Sequence, residues 1–166
     1  MPQALWDASA LAKRYALETG SAAADALFDS LSLSQMITTF LSYAETFSLL
    51  LRKHNRGDIS LSAFSFAVSA LQAETINSQR FALLSISDSD IIRGVEFVRR
   101  YNINSSDAAI LAAFLRYSSS QPSGAVPCIL IASDKRFLRA AEAEGLATLD
   151  PEQVSAADVP ARLAAL

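Results

Sequence analysis

The sequence predicts an α/β fold in which a central parallel sheet is flanked by helices in a three-layer arrangement. Short apolar or β-branched runs alternate along the chain with longer stretches of helical periodicity, and this alternation is typical of parallel sheets with helices on both faces. Alanine and leucine dominate, while glycine and proline number only five each, so helix should exceed strand. The 166 residues fit one domain that covers positions 1–166.

Short runs of β-branched or apolar residues are predicted as strands. The run 36–39 is rich in β-branched residues, and the run 126–132 is almost continuously apolar, as expected of a strand buried on both faces. The clearest loop is 118–124, where serine, proline and glycine cluster. The predicted strands are residues 4–6, 36–39, 81–86, 126–132 and 147–149.

Cap residues and apolar spacing locate the helices. Ser21 is the expected N-cap of the second helix, and Ser42, with Glu45 three residues later, has the spacing of a capping box. Gly57 ends that third helix, and aliphatic residues recur at helical spacing within 88–101. The predicted helices are residues 10–17, 22–31, 42–56, 61–76, 88–101, 108–117 and 135–144.

Composition excludes several kinds of protein and site. One cysteine, Cys128, and one histidine, His54, leave no material for a disulfide framework or a zinc cluster. The N-terminus lacks a basic region, Asp7 interrupts the first apolar run, and the later apolar stretches are too short to span a membrane. We therefore expect a cytoplasmic protein without a membrane segment. The hydrophobic content of 51% suggests a face buried against a second subunit.

Four carboxylates fall near helix starts, most of them just after a predicted strand. Asp7 and Asp134 follow the first and fourth strands, Asp107 opens a predicted helix, and Glu45 lies in the first turns of another. In an open parallel sheet, ligands bind beyond the carboxyl ends of the strands. Each Asp taken alone is better explained as a helix cap. Glu45 is surrounded by apolar residues, so a largely buried charge there needs a partner.

The chemistry of these residues favours a hard divalent cation. Mg²⁺ or Mn²⁺ takes oxygen ligands, relieves the repulsion between clustered carboxylates, activates water and stabilises charge at phosphorus. Haloacid-dehalogenase-like phosphatases and phosphotransfer receivers also gather acids around Mg²⁺. The phosphatases need a second Asp two residues after their nucleophile, where this chain has Ser9, and the receivers need paired acids that the sequence lacks.

Four segments, in order along the chain, resemble the motifs of PIN-domain proteins, particularly the VapC-type toxin ribonucleases. They are LWDASALAKRY at residues 5–15, TFLSYAE at 39–45, SDAAILAA at 106–113 and IASDKRFLRAA at 131–141. Each motif is weak alone, but their order and separations match those of the family. The similarity spans about residues 5–152, with one departure at Trp6, where the family has an aliphatic residue.

This resemblance implies a PIN-like fold, often dimeric, and Mg²⁺- or Mn²⁺-dependent cleavage of RNA phosphodiester bonds. For the toxin subgroup it also implies a small antitoxin protein that blocks the site. Carried over residue by residue, the catalytic and metal-site acids are Asp7, Glu45, Asp107 and Asp134. Ser9 and Ser133 become polar neighbours that orient a carboxylate or a water, although Ser9 is equally well explained as a helix cap. The alternative is a PIN-fold module that binds nucleic acid without catalysis.

Basic residues near these acids are candidates for contact with RNA. The formal net charge of −3 is unusual for a protein that binds nucleic acid without sequence preference, so such contact requires a local patch or a metal. Arg52 and Lys53 lie at the end of the third predicted helix, and Lys13 closely follows Asp7. Cations near a helix C-terminus are also stabilised by the helix dipole alone, and that is the simpler interpretation of Arg52 and Lys53.

Overall fold

The computed structural model describes residues 2–32, 35–122 and 126–165. Its centre is a parallel sheet of five strands in the order β3-β2-β1-β4-β5. The strands are β1 (Gln3–Trp6), β2 (Met36–Thr39), β3 (Ala82–Leu84), β4 (Cys128–Ile131) and β5 (Ala147–Leu149). The predicted parallel sheet flanked by helices is therefore confirmed.

Helices connect the strands and cover both faces of the sheet. They are α1 (Ala8–Leu11), α2 (Ser21–Ser30), α3 (Phe40–Asn55), α4 (Leu61–Gln72), α5 (Asp88–Tyr101), α6 (Ser105–Ser119), α7 (Lys135–Ala143) and α8 (Val159–Ala164). A 3-10 turn, Ala12–Arg14, continues α1, and a π-helical turn, Ala73–Asn77, continues α4. Helix α8 and the 3-10 turn Ala156–Asp158 before it have no counterpart in the sequence prediction. Within the described ranges, no helix is long and apolar enough to cross a membrane.

Side chains alternate across β1 and supply two hydrophobic cores. Leu5 points into the core that includes Phe114 of α6 and Phe137 of α7. Trp6 points to the opposite face, where its ring meets Phe28 edge-on at a centroid distance of 4.8 Å. The tryptophan that departs from the family pattern is thus accommodated as a fully buried core residue.

Two predicted helix caps are wrong, and both errors have a local cause. β2 ends at Thr39 and α3 begins at the next residue, so the cap is the last strand residue: the Thr39 hydroxyl accepts from the Ser42 amide at 2.8 Å. Ser42 therefore lies inside the helix, and no capping box forms with Glu45. At α2 the N-cap is Gly20, and Ser21 is the first helical residue, with its hydroxyl accepting from the Glu18 amide. The end of the predicted loop at Ser123 and Gly124 lies outside the described residues.

An ion pair fastens α5 to α6. Asp90 is 3% exposed and accepts three hydrogen bonds from the Arg116 guanidinium, the shortest being Nε to Oδ1 at 2.9 Å and Nη2 to Oδ2 at 2.8 Å. Nη2 also donates to the Ser85 carbonyl at 3.0 Å. One turn further along α5, Gly94 lies so close to α6 that an added Cβ would meet the Ala108 carbonyl carbon at 3.1 Å. These contacts fix which face of α5 is turned inward.

Removing Arg116 should destabilise the fold in a pH-dependent way. Burial raises the pKa of Asp90, but the bonds from Arg116 and Ser87 outweigh burial and hold that pKa below its ordinary value. A depressed pKa contributes stability at neutral pH that is lost as the pH falls through the folded-state value. We expect Arg116→Ala to lower the free energy of unfolding by about 1–3 kcal/mol at pH 7 and by less in acid, as measured by urea denaturation.

Arg56→Ala is the matched control for this experiment. Arg56 also pairs with an Asp, Asp58, but both side chains are exposed, and such surface pairs contribute less than about 1 kcal/mol. Equal losses for the two variants, or a loss at Arg116 that does not change with pH, would contradict a structural role for the Asp90 pair.

Candidate active site

The candidate site forms where the strand order reverses. β2 and β3 extend the sheet on one side of β1, whereas β4 and β5 extend it on the other, so the connections that leave β1 and β4 diverge and open a crevice at their carboxyl ends. Asp7 follows β1 directly, and Asp134 lies three residues beyond the end of β4. The Asp7 amide donates to the Ile131 carbonyl at 3.0 Å, which fastens the ends of the two strands together.

Ser9 links the two sides of this crevice. Both its amide (2.9 Å) and its hydroxyl (2.5 Å) donate to Oδ2 of Asp7, which is itself the N-cap of α1. The Ser133 amide donates to the Ser9 hydroxyl at 2.9 Å. Ser9 is thus not the helix cap but the residue that orients the capping carboxylate. The Ser133 hydroxyl is buried and has no hydrogen-bond partner among the described residues.

The other two aspartates are also held at helix starts. Asp134 is the N-cap of α7, and its Oδ1 accepts from the amides of Arg136 (2.8 Å) and Phe137 (3.0 Å). Asp107 lies in the first turn of α6, where Asn104 is the N-cap. Asn104 accepts from the Asp107 amide and donates Nδ2 to the Asp107 carboxylate, both at 2.8 Å. The sequence prediction missed Asn104, although an Asn three residues before a first-turn Asp is a recognisable cap signal.

The structure brings the four predicted acids to one cleft of about 360 Å³. Its lining residues are Asp7, Ala8, Ser9, Glu45, Ser48, Leu49, Arg52, Asn104, Asp107 and Asp134. Four of these residues come from one face of α3, because Glu45, Ser48, Leu49 and Arg52 recur at helical spacing. The cleft is therefore walled by the starts of α1, α6 and α7 and by the side of α3.

Burial and mutual repulsion raise the pKa values of three of these acids. For Asp107, burial followed by the charges of Asp7, Asp134 and Glu45 raises the pKa to about 7. Burial also raises the pKa of Asp7, where the bonds from Ser9 oppose it, and the charge of Asp134 raises it further. Burial and then the charge of Asp7 raise the pKa of Glu45. The carboxylates therefore repel one another, and an added positive charge would relieve that repulsion.

The donor set fits a hard divalent cation. Every titratable ligand in the cleft is a carboxylate, with neither cysteine nor histidine beside it, and Mg²⁺ and Mn²⁺ prefer such oxygen donors. Within the described ranges, no three acidic, histidine or cysteine side chains lie close enough together to form a finished metal site. Ligation by all four acids would require their side chains to move closer together.

Cations line a second cleft of about 360 Å³ that adjoins the first. Lys13 is only 4% exposed, and its ammonium binds Glu152 (2.7 Å), the Thr19 carbonyl (2.9 Å) and Glu18 (3.3 Å). Lys53 pairs with Glu18 as well. Lys13 and Lys53 are therefore already neutralised within the protein.

Arg52 differs from these lysines. It is exposed, it lines both clefts, and it forms no ion pair with any residue that the structure describes. The positive charge of Arg52 lowers the pKa of Glu45 and so opposes the rise caused by burial and by Asp7. Of the three predicted RNA contacts, Arg52 is the one whose charge remains available.

Neutralising Asp107 should stabilise the metal-free protein at neutral pH. A carboxyl whose pKa is raised by folding contributes stability below its unfolded value of about 3.9, and that contribution is lost as the pH rises through the folded value; here the folded pKa is about 7. We expect Asp107→Asn to unfold at a higher temperature than the parent chain at pH 8 in a chelator. Each kcal/mol gained corresponds to roughly 2–4 °C in a protein of this size.

The advantage of Asp107→Asn should disappear near pH 4, because Asp107 is then protonated in the parent chain. It should also shrink when Mg²⁺ or Mn²⁺ is added, since a bound cation stabilises the parent carboxylates. Asp29→Asn, on the exposed side of α2, is the control and should show neither effect. A parent chain as stable as Asp107→Asn throughout this pH range would rule out the proposed repulsion.

Comparisons with known proteins agree with this architecture. Among solved structures, PAE2754 from Pyrobaculum aerophilum superposes with a TM-score of 0.60 at 18% identity, over 99% of this chain and 97% of that one. A structure of FitAB bound to an IR36 DNA fragment superposes with a TM-score of 0.63 at 14% identity, over 92% and 97%. These likenesses concern the fold, and no curated protein sequence matches the chain. The family model of the PIN domain matches residues 4–143, so the chain belongs to the PIN-domain family, whose members are generally nucleases that use divalent metal ions.

Proposed function

We propose that this protein is a Mg²⁺- or Mn²⁺-dependent endoribonuclease and the toxin component of a VapC-type toxin–antitoxin pair. The observation that carries the proposal is the convergence of Asp7, Glu45, Asp107 and Asp134 on one cleft at the switch point of the sheet in a chain of the PIN-domain family. Residues 1–166 act as a single domain in this proposal. The phosphatase and receiver alternatives lose their support with the family assignment.

The residues around the cleft have separate tasks in RNA cleavage. The four acids would hold the cation, which when bound would supply positive charge for the phosphodiester and lower the pKa of a water molecule for attack. Ser9 keeps the Asp7 carboxylate in one orientation through two hydrogen bonds, and Asn104 orients the Asp107 carboxylate through one. Ser133 lines the second cleft, and in this proposal its hydroxyl, which is buried and has no hydrogen-bond partner among the described residues, orients a neighbouring carboxylate or a water.

Partners follow from the toxin assignment. The FitAB structure holds a bound DNA fragment. We propose that a small antitoxin protein blocks the cleft of this chain and that the pair acts in the cytoplasm. We also propose that the chain is a homodimer. An adjacent reading frame for a small antitoxin-like protein is the genomic observation to make: its absence would remove the toxin assignment and leave the nuclease assignment in place.

Loss of one carboxylate should abolish cleavage without unfolding the protein. We expect Asp7→Asn and Asp134→Asn each to lower the rate of metal-dependent cleavage of single-stranded RNA by at least about 100-fold. Asparagine is also a good N-cap, so both variants should keep their cooperative thermal unfolding. The assay compares Mg²⁺, Mn²⁺ and a chelator, with Asp29→Asn as a control that keeps full activity.

The outcomes of this assay separate the remaining alternatives. Equal cleavage by the parent and both variants would show that these acids are not catalytic. RNA binding without cleavage under either metal would favour the module that binds nucleic acid without catalysis. Cleavage in the chelator would exclude dependence on a divalent cation.

Arg52 should contribute to binding of the RNA backbone. Arg52→Gln, introduced into the inactive Asp7→Asn chain so that the RNA stays intact, removes one available cation at the junction of the two clefts. We expect weaker binding and a salt dependence whose logarithmic slope falls by about 0.7, the value for one phosphate contact to a single strand. Lys53→Gln should have a smaller effect, since Glu18 already pairs with that lysine. An unchanged slope for Arg52→Gln, equal to that of Arg139→Gln on α7, would contradict this contact.

A further inference from the structure

We propose that the second cleft is a binding subsite for an RNA backbone phosphate beside the scissile one, and that the Glu18 carboxylate occupies this subsite until RNA displaces it. The inference deepens the proposed function and rests on it, because an RNA strand must first enter the cleft of the four acids. The two clefts share a wall, which is formed by Ser9, Leu49, Arg52 and Asp134. A strand whose scissile phosphate lies at the acids would therefore bring a neighbouring phosphate to the second cleft.

The second cleft carries the positive charge that a phosphate requires. Among the lining residues that the structure describes, four are basic in this cleft, whereas one is basic in the cleft of the acids. The four are Lys13, Arg52, Lys53 and Arg56, and the one is Arg52. Lysine and arginine bind phosphate oxygens through charge-assisted hydrogen bonds. The second cleft is thus suited to hold a phosphate without help from a metal ion.

Glu18 lies between the two lysines of this cleft as a phosphate would. Its Oε1 pairs with the Lys13 ammonium at 3.3 Å, and its Oε2 pairs with the Lys53 ammonium. The lysines belong to different elements, the 3-10 turn after α1 and the helix α3, so the carboxylate bridges them across the cleft. A phosphodiester likewise has one negative charge that two free oxygens share. A phosphate can therefore take over the position of this carboxylate.

The two lysines depend on Glu18 to different degrees. Lys13 is almost fully buried, and it keeps Glu152 at 2.7 Å and the Thr19 carbonyl at 2.9 Å when Glu18 leaves. Lys53 has no second ion-pair partner in the part of the chain that the structure describes. The buried ammonium is thus never left alone, which would be costly. The exchange leaves Lys53 as the lysine that pairs with the incoming phosphate.

Only the side chain of Glu18 has to move in this exchange. Its backbone is held at the start of α2, because the Glu18 amide donates to the Ser21 hydroxyl at 2.9 Å and the Ser21 amide donates to the Glu18 carbonyl at 3.1 Å. The Glu18 side chain is 28% exposed, so solvent can hydrate the carboxylate as it leaves. A partly exposed ion pair contributes far less to stability than a buried one. The other phosphate contacts of a bound strand can therefore offset its loss.

A double-mutant cycle on RNA binding tests the displacement. It uses the full chain with Asp7→Asn, so that the RNA stays intact, and a fluorescently labelled single-stranded RNA as the probe in the presence of Mg²⁺. We expect Glu18→Gln to tighten binding by at least about 3-fold, because the competing charge is removed.

The cost of Lys53→Gln should depend on Glu18. With Glu18 present, we expect Lys53→Gln to weaken binding by less than about 2-fold, since the lost phosphate contact is offset by a carboxylate that no longer has to be displaced. Combined with Glu18→Gln, the same substitution should weaken binding by at least about 5-fold, because the full phosphate contact is then lost.

Glu152→Gln is the matched control for this cycle. It also removes a negative charge from the second cleft, but Glu152 pairs with Lys13 and Lys135 and not with Lys53. Lys53→Gln should therefore still cost less than about 2-fold when it is combined with Glu152→Gln. Thermal unfolding of each variant checks the fold, which should be retained because Lys13 keeps one carboxylate partner in either chain.

Several results would overturn the inference. These are equal costs of Lys53→Gln with and without Glu18, and binding that Glu18→Gln does not tighten. RNA cleavage by the chain with Asp7 intact is measured in parallel: cleavage without the dependence on Glu18 would remove the phosphate subsite and leave the nuclease proposal in place. The dependence without cleavage would support the subsite and count against catalysis. Failure of every chain to bind RNA would overturn both.

Discussion

The attachment of the end of β1 to the end of β4 is the constraint on which the rest of the site depends. The amide of Asp7 reaches across to the Ile131 carbonyl, and the Ser133 amide reaches back to the Ser9 hydroxyl. These two bonds hold the crevice at the switch point to a fixed width. They also set the starting directions of α1 and α7, and hence the positions of the carboxylates that cap those helices. The three aspartates are thus positioned by the hydrogen bonds that begin their helices, whereas Glu45 is carried on the side of α3.

This way of positioning the acids has an energetic cost, because the packing that brings the carboxylates together also makes their charges repel one another. Burial and neighbouring charge raise the pKa of Asp107 to about 7, so at neutral pH the metal-free chain carries a partly protonated, strained site. A site of this kind binds a cation more strongly than separate carboxylates on a surface would, since binding also removes the repulsion. The four carboxylates of the cleft contribute part of the net charge of −3.

Sequence reasoning predicted the strands and the parallel sheet, because those depend on local pattern. The rule that strand ends converge placed Asp7 and Asp134 at one edge of the sheet, whereas Glu45 and Asp107 joined them only through the resemblance to the PIN-domain motifs. The same reasoning failed where the result depends on the junction or contact between two elements. Ser42 was predicted as a helix cap, but α3 follows β2 without a loop and the cap is Thr39. Lys13 was predicted to contact RNA, but its ammonium is paired with Glu152 and Glu18 in the folded chain. The aliphatic spacing in α5 correctly predicted a helix. A hydrophobicity pattern would turn its four aliphatic residues inward, but the contacts of Gly94 and the Asp90 ion pair with α6 determine which side faces the core.

Trp6 has a practical consequence that its role in the core does not suggest. It is the only tryptophan of the chain, it is fully buried against Phe28 and Phe81, and it is covalently adjacent to Asp7. The tryptophan fluorescence of this protein, excited selectively over its four tyrosines, therefore comes from one fixed point on the strand that precedes the first acid. A change at the end of β1, whether from a cation or from a partner seated in the cleft, is placed to alter the emission of a native optical reporter that needs no label.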